Sequence, residues 1–171
     1  AKSRAAAADT GALVIAADTL VVFEGRIVSA PAPSQEALET LTRLRGHPHE
    51  VLSGLAILDP WRRRQCQQVA RSVVFMRDYG DQEVRRYVAS GDPLDKAGSY
   101  AIQHDGFAPV ARIEGCYANV MGFPMCHLYR VLRQWGLTAP IHPLQSCPLA
   151  LREPCPWADD ILTASSSECC G

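Results

Sequence analysis

The sequence predicts an α/β fold built on a mixed sheet with flanking helices. Three observations lead there. Short, nearly continuous apolar runs such as 13–17 and 20–23 read as strands. Leucines spaced three residues apart, Leu38, Leu41 and Leu44, read as one face of a helix. The two kinds of segment alternate without a repeated βαβ rhythm, so a mixed sheet fits better than a regular parallel one.

Residues 1–9 are alanine-rich and helix-prone, with Gly11 as a stop. The apolar run from Leu13 to Phe23 then reads as a buried strand pair, interrupted by Asp18-Thr19. Glu24-Gly25 makes a turn and residues 26–28 return as a short strand. After Pro31 and Pro33, Ser34 is expected to cap a helix over 34–45, with Glu36 in its first turn and Gly46 closing it. Segments 49–58 and 67–77 are expected to pair around Asp59-Pro60, with Arg62, Arg63 and Arg64 at an exposed hairpin tip. A second helix covers 81–90, its Val84, Tyr87 and Val88 turned inward and Gly91 ending it. Residues 98–104 and 107–113 read as strands joined by Asp105-Gly106, a strong hairpin signal. Pro124 suits a helix start, and Met125, Leu128, Leu132 and Trp135 keep helical spacing up to Gly136.

Residues 1–137 are therefore expected to form one domain, and 138–171, with five prolines and Ser165-Ser166-Ser167, an irregular tail. The chain has 171 residues, is 47% hydrophobic and 20% charged, and carries a formal charge of −1. That balance argues against a nucleic-acid partner, which a basic face would reveal. No apolar run reaches the roughly 20 residues a membrane helix needs. The seven cysteines include no CxxC pair and match no zinc template, so a reduced, cytoplasmic protein is expected.

Three stretches carry candidate chemistry. Asp18 sits within an apolar run, where a buried carboxylate is costly unless paired or metal-bound; the competing reading is a turn at Asp18-Thr19. In Gly91-Asp92-Pro93-Leu94-Asp95-Lys96-Ala97-Gly98, glycines and a proline bracket Asp95 and Lys96 in a defined loop. A carboxylate there suits a hard cation and the ammonium suits a phosphate, while the alternative is a solvated surface loop. In Ile113-Glu114-Gly115-Cys116-Tyr117-Ala118-Asn119-Val120, Glu114 is read as a strand-end charge with a surface ion pair as the alternative, and Asn119 as a helix cap. His47 and His49 flank Pro48 and read as loop residues. No P-loop, GxGxxG, HExxH or GxSxG motif occurs.

Taken in order, these stretches resemble the Maf family of nucleoside triphosphate pyrophosphatases, over about residues 2–135. The likeness begins at Ala17-Asp18-Thr19 and passes through Gly46-His47-Pro48-His49-Glu50-Val51, similar to the family's Ser-Gly-x-x-His-Glu-Val. It is densest at Asp95-Lys96-Ala97-Gly98-Ser99-Tyr100-Ala101-Ile102-Gln103 and closes with Glu114-Gly115-Cys116-Tyr117-Ala118-Asn119-Val120-Met121-Gly122-Phe123-Pro124. The resemblance implies the fold shared with inosine-triphosphate pyrophosphatases. It also implies hydrolysis of a nucleoside triphosphate to monophosphate and pyrophosphate with Mg²⁺ or Mn²⁺, in the branch acting on dTTP and UTP. By this likeness Asp18 is the catalytic base or metal-linked carboxylate, and Asp95 a second metal candidate. Lys2, Lys96, Gln103 and Glu114 form the substrate-binding set. Within that set Lys2 would contact phosphate and Gln103 would read the base, while Asp95, Lys96 and Glu114 carry membership of the motif without an assigned role. Dimers are common among similar proteins, so a homodimer is an expectation.

Two departures stand out. The family opens with a Ser-x-Ser-Pro-Arg-Arg loop and an acidic segment, and this sequence starts at the lysine helix, so an N-terminally truncated domain is expected. The family's Gly-Lys-Pro is Ser29-Ala30-Pro31 here. Each charge-assisted hydrogen bond to the triphosphate is worth about 1.5–3 kcal/mol, so the missing cations imply impaired activity. The alternative is a non-catalytic nucleotide-binding or dimerising remnant.

Overall fold

The computed structural model describes residues 12–31 and 33–164; the alanine-rich start, Lys2 and the last seven residues lie outside them. Strand β1 (Val14–Phe23) meets β2 (Arg26–Val28) in an antiparallel hairpin with Phe23 opposite Arg26. Glu24 and Gly25 link them with φ of 51° and 71°. Two positive values in a two-residue loop are the type I′ geometry that matches strand twist. Contrary to the expectation of a strand pair, β1 is one continuous ten-residue strand that runs straight through Asp18.

Helix α1 (Ser34–Leu44) buries Ala37, Leu41 and Leu44. Ser34 is its first helical residue and not its cap; Pro33 holds that position without a side-chain hydrogen bond. Strands β3 (Pro48–Asp59) and β4 (Arg64–Met76) follow, each burying every second residue along most of its length, as period-two geometry requires when one face is covered. The five-stranded sheet has the order β2-β1-β3-β4-β5 and is flanked by helices, which is the α/β class expected.

The arginine run is only partly a hairpin tip. Arg62 and Arg63 are exposed, whereas Arg64 begins β4 and donates from Nε to Asp59 Oδ2 at 3.1 Å. Its guanidinium also lies over the Trp135 ring, 4.4 Å from the centroid. A buried carboxylate and an aromatic face together hold that arginine in place, while Arg62 shares the carboxylate through a longer 3.4 Å contact from its exposed side chain.

Helix α2 (Asp81–Ala89) buries Val84, Tyr87 and Val88, as its spacing predicts. The next segment departs from expectation. Residues 98–104 form no strand: two short 3-10 turns, Asp92–Asp95 and Ala97–Ser99, lead into irregular chain. The Asp105-Gly106 signal marks a local turn and not a hairpin, because His104 takes over its hydrogen bonds. Its carbonyl accepts from Ala108 N at 2.8 Å and its Nδ1 from Phe107 N at 3.0 Å. Strand β5 (Val110–Gly115) pairs antiparallel with β4. Asn119 lies inside α3 (Tyr117–Val120), which Cys116 caps by position, so Asn119 is not the cap expected. Helix α4 (Met125–Gln134) buries Cys126 and Val131.

The segment expected to be irregular holds a 3-10 turn (Pro143–Gln145) and helix α5 (Ala158–Thr163). Helix α5 packs on α4, and Arg130 Nη1 of α4 donates to the Ile161 carbonyl at 2.8 Å. Cys147 joins Cys116 and Ala118 in a buried cluster that Leu149, Ala150 and Ile161 cover. Proline content marks where a helix cannot continue, not whether chain packs.

The protein divides into two compact units whose boundaries cut across β1, β3 and β4. One comprises the chain up to Asp18, Ser53–Ala70 and everything from Cys116. Its second cluster is Leu55, Ile57, Cys66 and Val131, against Ala17, Leu128 and Trp135. The other comprises Thr19–Leu52 and Arg71–Gly115, where α1 packs on α2 and Phe107 lies against Tyr79 and Tyr87. Cys66 is disulfide-bonded, so the expectation of free thiols throughout does not hold for it.

Candidate active site

The loop after α2 is a set of backbone reversals locked by charge. Gly91, with φ of 79°, ends the helix and Pro93 is buried beneath the first 3-10 turn. Gly98, at φ 74°, lies where an added Cβ would stand 3.0 Å from Val21 Cγ2. Glycine is needed there both for the left-handed backbone and for the close approach. Ser99 follows at φ 62°, fully buried.

Within this loop Lys96 Nζ donates to the Asp92 carbonyl oxygen at 2.6 Å and to Asp95 Oδ1 at 2.7 Å, and stands 3.2 Å from Asp92 Oδ1. Tyr87 donates its hydroxyl hydrogen to Asp92 Oδ2 at 2.6 Å and accepts from Ala101 N at 3.0 Å. The hydrogen bond to Asp95 raises the Lys96 ammonium above its ordinary value, and the same bond holds Asp95 below its own. Asp92 is also held low: partial burial works against it, and the bonds from Tyr87 and Lys96 outweigh that. Asp95 and Lys96, both named from the sequence, are thus brought together. Asp92 and Tyr87, which complete the clamp, were not singled out. The Tyr87 position was legible as an inward helix face, but not the use of its hydroxyl.

Asp18 is exposed on β1 in the other unit. Neither buried-carboxylate cost nor a broken strand accounts for it, because alternation turns its side chain outward while the strand continues. Gln103 is exposed in the turn after Tyr100. Glu114 lies on β5 opposite Val73 and ion-pairs with Arg112 on its own strand. Ala30 is exposed beside buried Pro31. Lys2 lies outside the described residues.

The structure adds a buried pair. His49 is on β3 and His47 just before it, so His49 is not the loop residue expected. His49 Nε2 is 2.8 Å from the Tyr100 hydroxyl and the two rings meet edge to face. Burial lowers the His49 imidazole to about 4, and its Nδ1 has no hydrogen-bond partner among the described residues. Burial likewise pushes the Tyr100 phenol up. A neutral histidine and a protonated tyrosine therefore anchor the chain directly after Gly98-Ser99 to β3. Among the described residues, no group of three or more His, Cys, Asp and Glu side chains is arranged to hold a metal ion.

Comparison with known proteins bears on the whole arrangement. The pattern of the family described as Maf-like protein matches residues 1–135. A protein of Dictyoglomus turgidum named dTTP/UTP pyrophosphatase is 44% identical over 125 residues, covering 73% of this chain and 65% of that protein. Its namesake in Dictyoglomus thermophilum is 42% identical with the same coverage. A dTTP/UTP pyrophosphatase of Dehalococcoides mccartyi is 43% identical over 130 residues, 76% of this chain and 58% of its own length. The chain thus spans less than two thirds of the length of these three relatives.

Proposed function

Because this chain belongs to the Maf-like family, we propose that it is a nucleoside triphosphate pyrophosphatase acting on dTTP- or UTP-type nucleotides. The observation that carries this reading is the family match over residues 1–135, which include Asp18 and the clamped 91–103 loop, together with relatives named dTTP/UTP pyrophosphatase. In the reaction, water oxygen bonds to the α-phosphorus and the bond from that phosphorus to the bridging oxygen breaks. Pyrophosphate and the monophosphate are released. Asp18, an exposed carboxylate on a regular strand, takes the proton from the attacking water.

A divalent cation, Mg²⁺ or Mn²⁺, fits this reading as part of the nucleotide. Such ions keep several waters and need only one or two carboxylates besides the phosphates. Three converging protein ligands are therefore not required. Asp18 suits that role better than Asp95, whose carboxylate is already engaged by Lys96. Lys96 in turn is committed to Asp92 and Asp95, so its contribution is to hold the loop in shape; a phosphate would have to displace one carboxylate to reach it. Gln103, with an exposed amide, is available to read the base. Lys2 is assigned to phosphate, and Glu114 is kept in the substrate-binding set without a role of its own.

No helix among the described residues is long and apolar enough to cross a membrane, and a nucleotide substrate fits a cytoplasmic enzyme. We assign a homodimer on the same family grounds, to be checked by light scattering. A second reading, a non-catalytic remnant of this fold, is favoured by Ala30 standing where the family carries a lysine. Pyrophosphate release from dTTP, UTP, CTP and GTP with Mg²⁺ or Mn²⁺ separates the two. The enzyme reading expects turnover of dTTP or UTP, and a folded chain that releases none supports the remnant.

A further inference from the structure

Gln103 sits third in a turn that runs from Ala101 to His104, closed by His104 N donating to the Ala101 carbonyl at 3.2 Å. Its side chain is exposed, and the turn beneath it is held on both flanks. On one flank Ala101 N donates to the Tyr87 hydroxyl at 3.0 Å. On the other, the His104 carbonyl accepts from Phe107 N at 3.3 Å and from Ala108 N at 2.8 Å. Tyr100 stands directly before the turn and is only 6% exposed. Its ring packs against Gly98, where an added Cβ would lie 3.3 Å from Tyr100 Cε1. Its hydroxyl is 2.8 Å from His49 Nε2 on β3, the central strand of the five. All of these residues belong to one compact unit.

We propose that Tyr100 and His49 are positioning residues for base selection. Their hydrogen bond sets where the Ala101–His104 turn presents the Gln103 amide to a pyrimidine. This rests on the nucleotide reading above and adds to it the residues that act through Gln103.

The pair is an expensive way to fill a core. His49 is 3% exposed, and its Nδ1 is buried with no partner among the described residues. A buried polar atom left unpaired costs stability, and two apolar side chains of similar shape would avoid that cost. What the polar pair adds is direction, because a buried hydrogen bond specifies one arrangement where apolar contact lets neighbours slide. Direction matters to an amide that reads a base. The Gln103 carboxamide offers one acceptor oxygen and two donor hydrogens. Uracil and thymine present a ring N–H beside a carbonyl, so the amide makes two parallel bonds with them when it stands in register. Cytosine presents the opposite order and requires the amide to turn over. A displacement of about 1 Å is enough to spoil such a pairing.

The test compares wild type, Tyr100→Phe, the double variant His49→Leu/Tyr100→Phe, and Gln103→Ala, with the double variant also placed in the Gln103→Ala background. KM and kcat are measured for dTTP, UTP and CTP, and folding is checked by circular dichroism. The double variant leaves no polar atom of the pair buried, so it keeps the test open if Tyr100→Phe alone does not fold. It is expected to raise KM for UTP about tenfold, with kcat within about twofold of wild type. The preference for UTP over CTP is expected to narrow by the same factor. In the Gln103→Ala background the double replacement is expected to change KM no further, because the residue it positions is gone. His49→Gln, which keeps a hydrogen-bonding group near the place of imidazole Nε2, is expected to retain wild-type selectivity. A merely structural role would instead lower kcat for every nucleotide alike and add to the effect of Gln103→Ala. Unchanged selectivity in the double variant, a wild type without base preference, or an effect that persists in full without Gln103 overturns the inference while leaving the enzyme reading intact. Wild-type protein that neither hydrolyses nor binds these nucleotides removes the pyrophosphatase reading and this inference with it.

Discussion

The Tyr87 hydroxyl reaches Asp92 Oδ2 at 2.6 Å, and through that carboxylate it ties helix α2 to the lysine of the following loop. The same hydroxyl accepts from Ala101 N, so one side-chain oxygen spans the loop from end to end. Tyr87→Phe leaves a partly buried carboxylate oxygen and a buried amide without their partner, which costs about 1–3 kcal/mol. A lower urea midpoint is expected, together with faster hydrogen exchange at Ala101. Unchanged exchange there would show that the hydroxyl does not hold the loop.

Asp18→Asn is expected to abolish pyrophosphate release from dTTP or UTP while leaving the unfolding midpoint in place. The side chain is exposed, and substitutions of that kind change stability by about 0.5 kcal/mol or less. Parallel kinetics and denaturation on one preparation check both halves. A drop in both together would recast Asp18 as a structural residue.

Gly98→Ala and Gly46→Ala separate backbone strain from crowding. Both glycines have positive φ, 74° and 68°. An added Cβ at Gly46 meets nothing within 4 Å, whereas at Gly98 it meets Val21 at 3.0 Å and 3.2 Å and Tyr100 at 3.3 Å. Both substitutions are expected to destabilise, by about 1 kcal/mol for the left-handed backbone alone. The Gly98 variant is expected to lose about 1–3 kcal/mol more, the usual cost of overpacking. Urea midpoints of the two variants measure the difference.

His49 makes stability depend on pH in a stated direction. Its folded value is about 4 against an ordinary value near 6.5, so the unfolded chain binds the extra proton first. Its contribution is complete above pH 6.5 and is lost as pH falls from there toward 4. The loss reaches about 2 kcal/mol by pH 5. Urea unfolding at pH 7 and pH 5 should show a larger drop for wild type than for His49→Gln, which does not titrate. Equal drops in the two proteins would show that His49 is not the group responsible.

Some elements were legible because their information is local. The leucine spacing of α1, the inward face of α2 and the Glu24-Gly25 turn each depend on residues a few positions apart, and the structure has them where the pattern placed them. Segment 98–104 was not legible. Its Tyr100–Ile102 alternation resembles a strand, but left-handed Gly98 and Ser99 turn the chain so that Tyr100 meets His49, 51 positions away. The final segment misled for a related reason. Its prolines forbid long helices, yet Cys147 and Ile161 pack beside Cys116 and Met125 and hold the segment in place.

By itself the sequence determined the family, the α/β class and the loop that carries Asp95, Lys96 and Gln103, since these rest on order and spacing along the chain. Only the tertiary structure decided that Asp18 faces outward, that Lys96 is shared by two carboxylates, and that His49 meets Tyr100. Exposure, ionisation and contact are set by whichever residues packing brings alongside. For burial and long-range partnering, distance along the chain carries no such information.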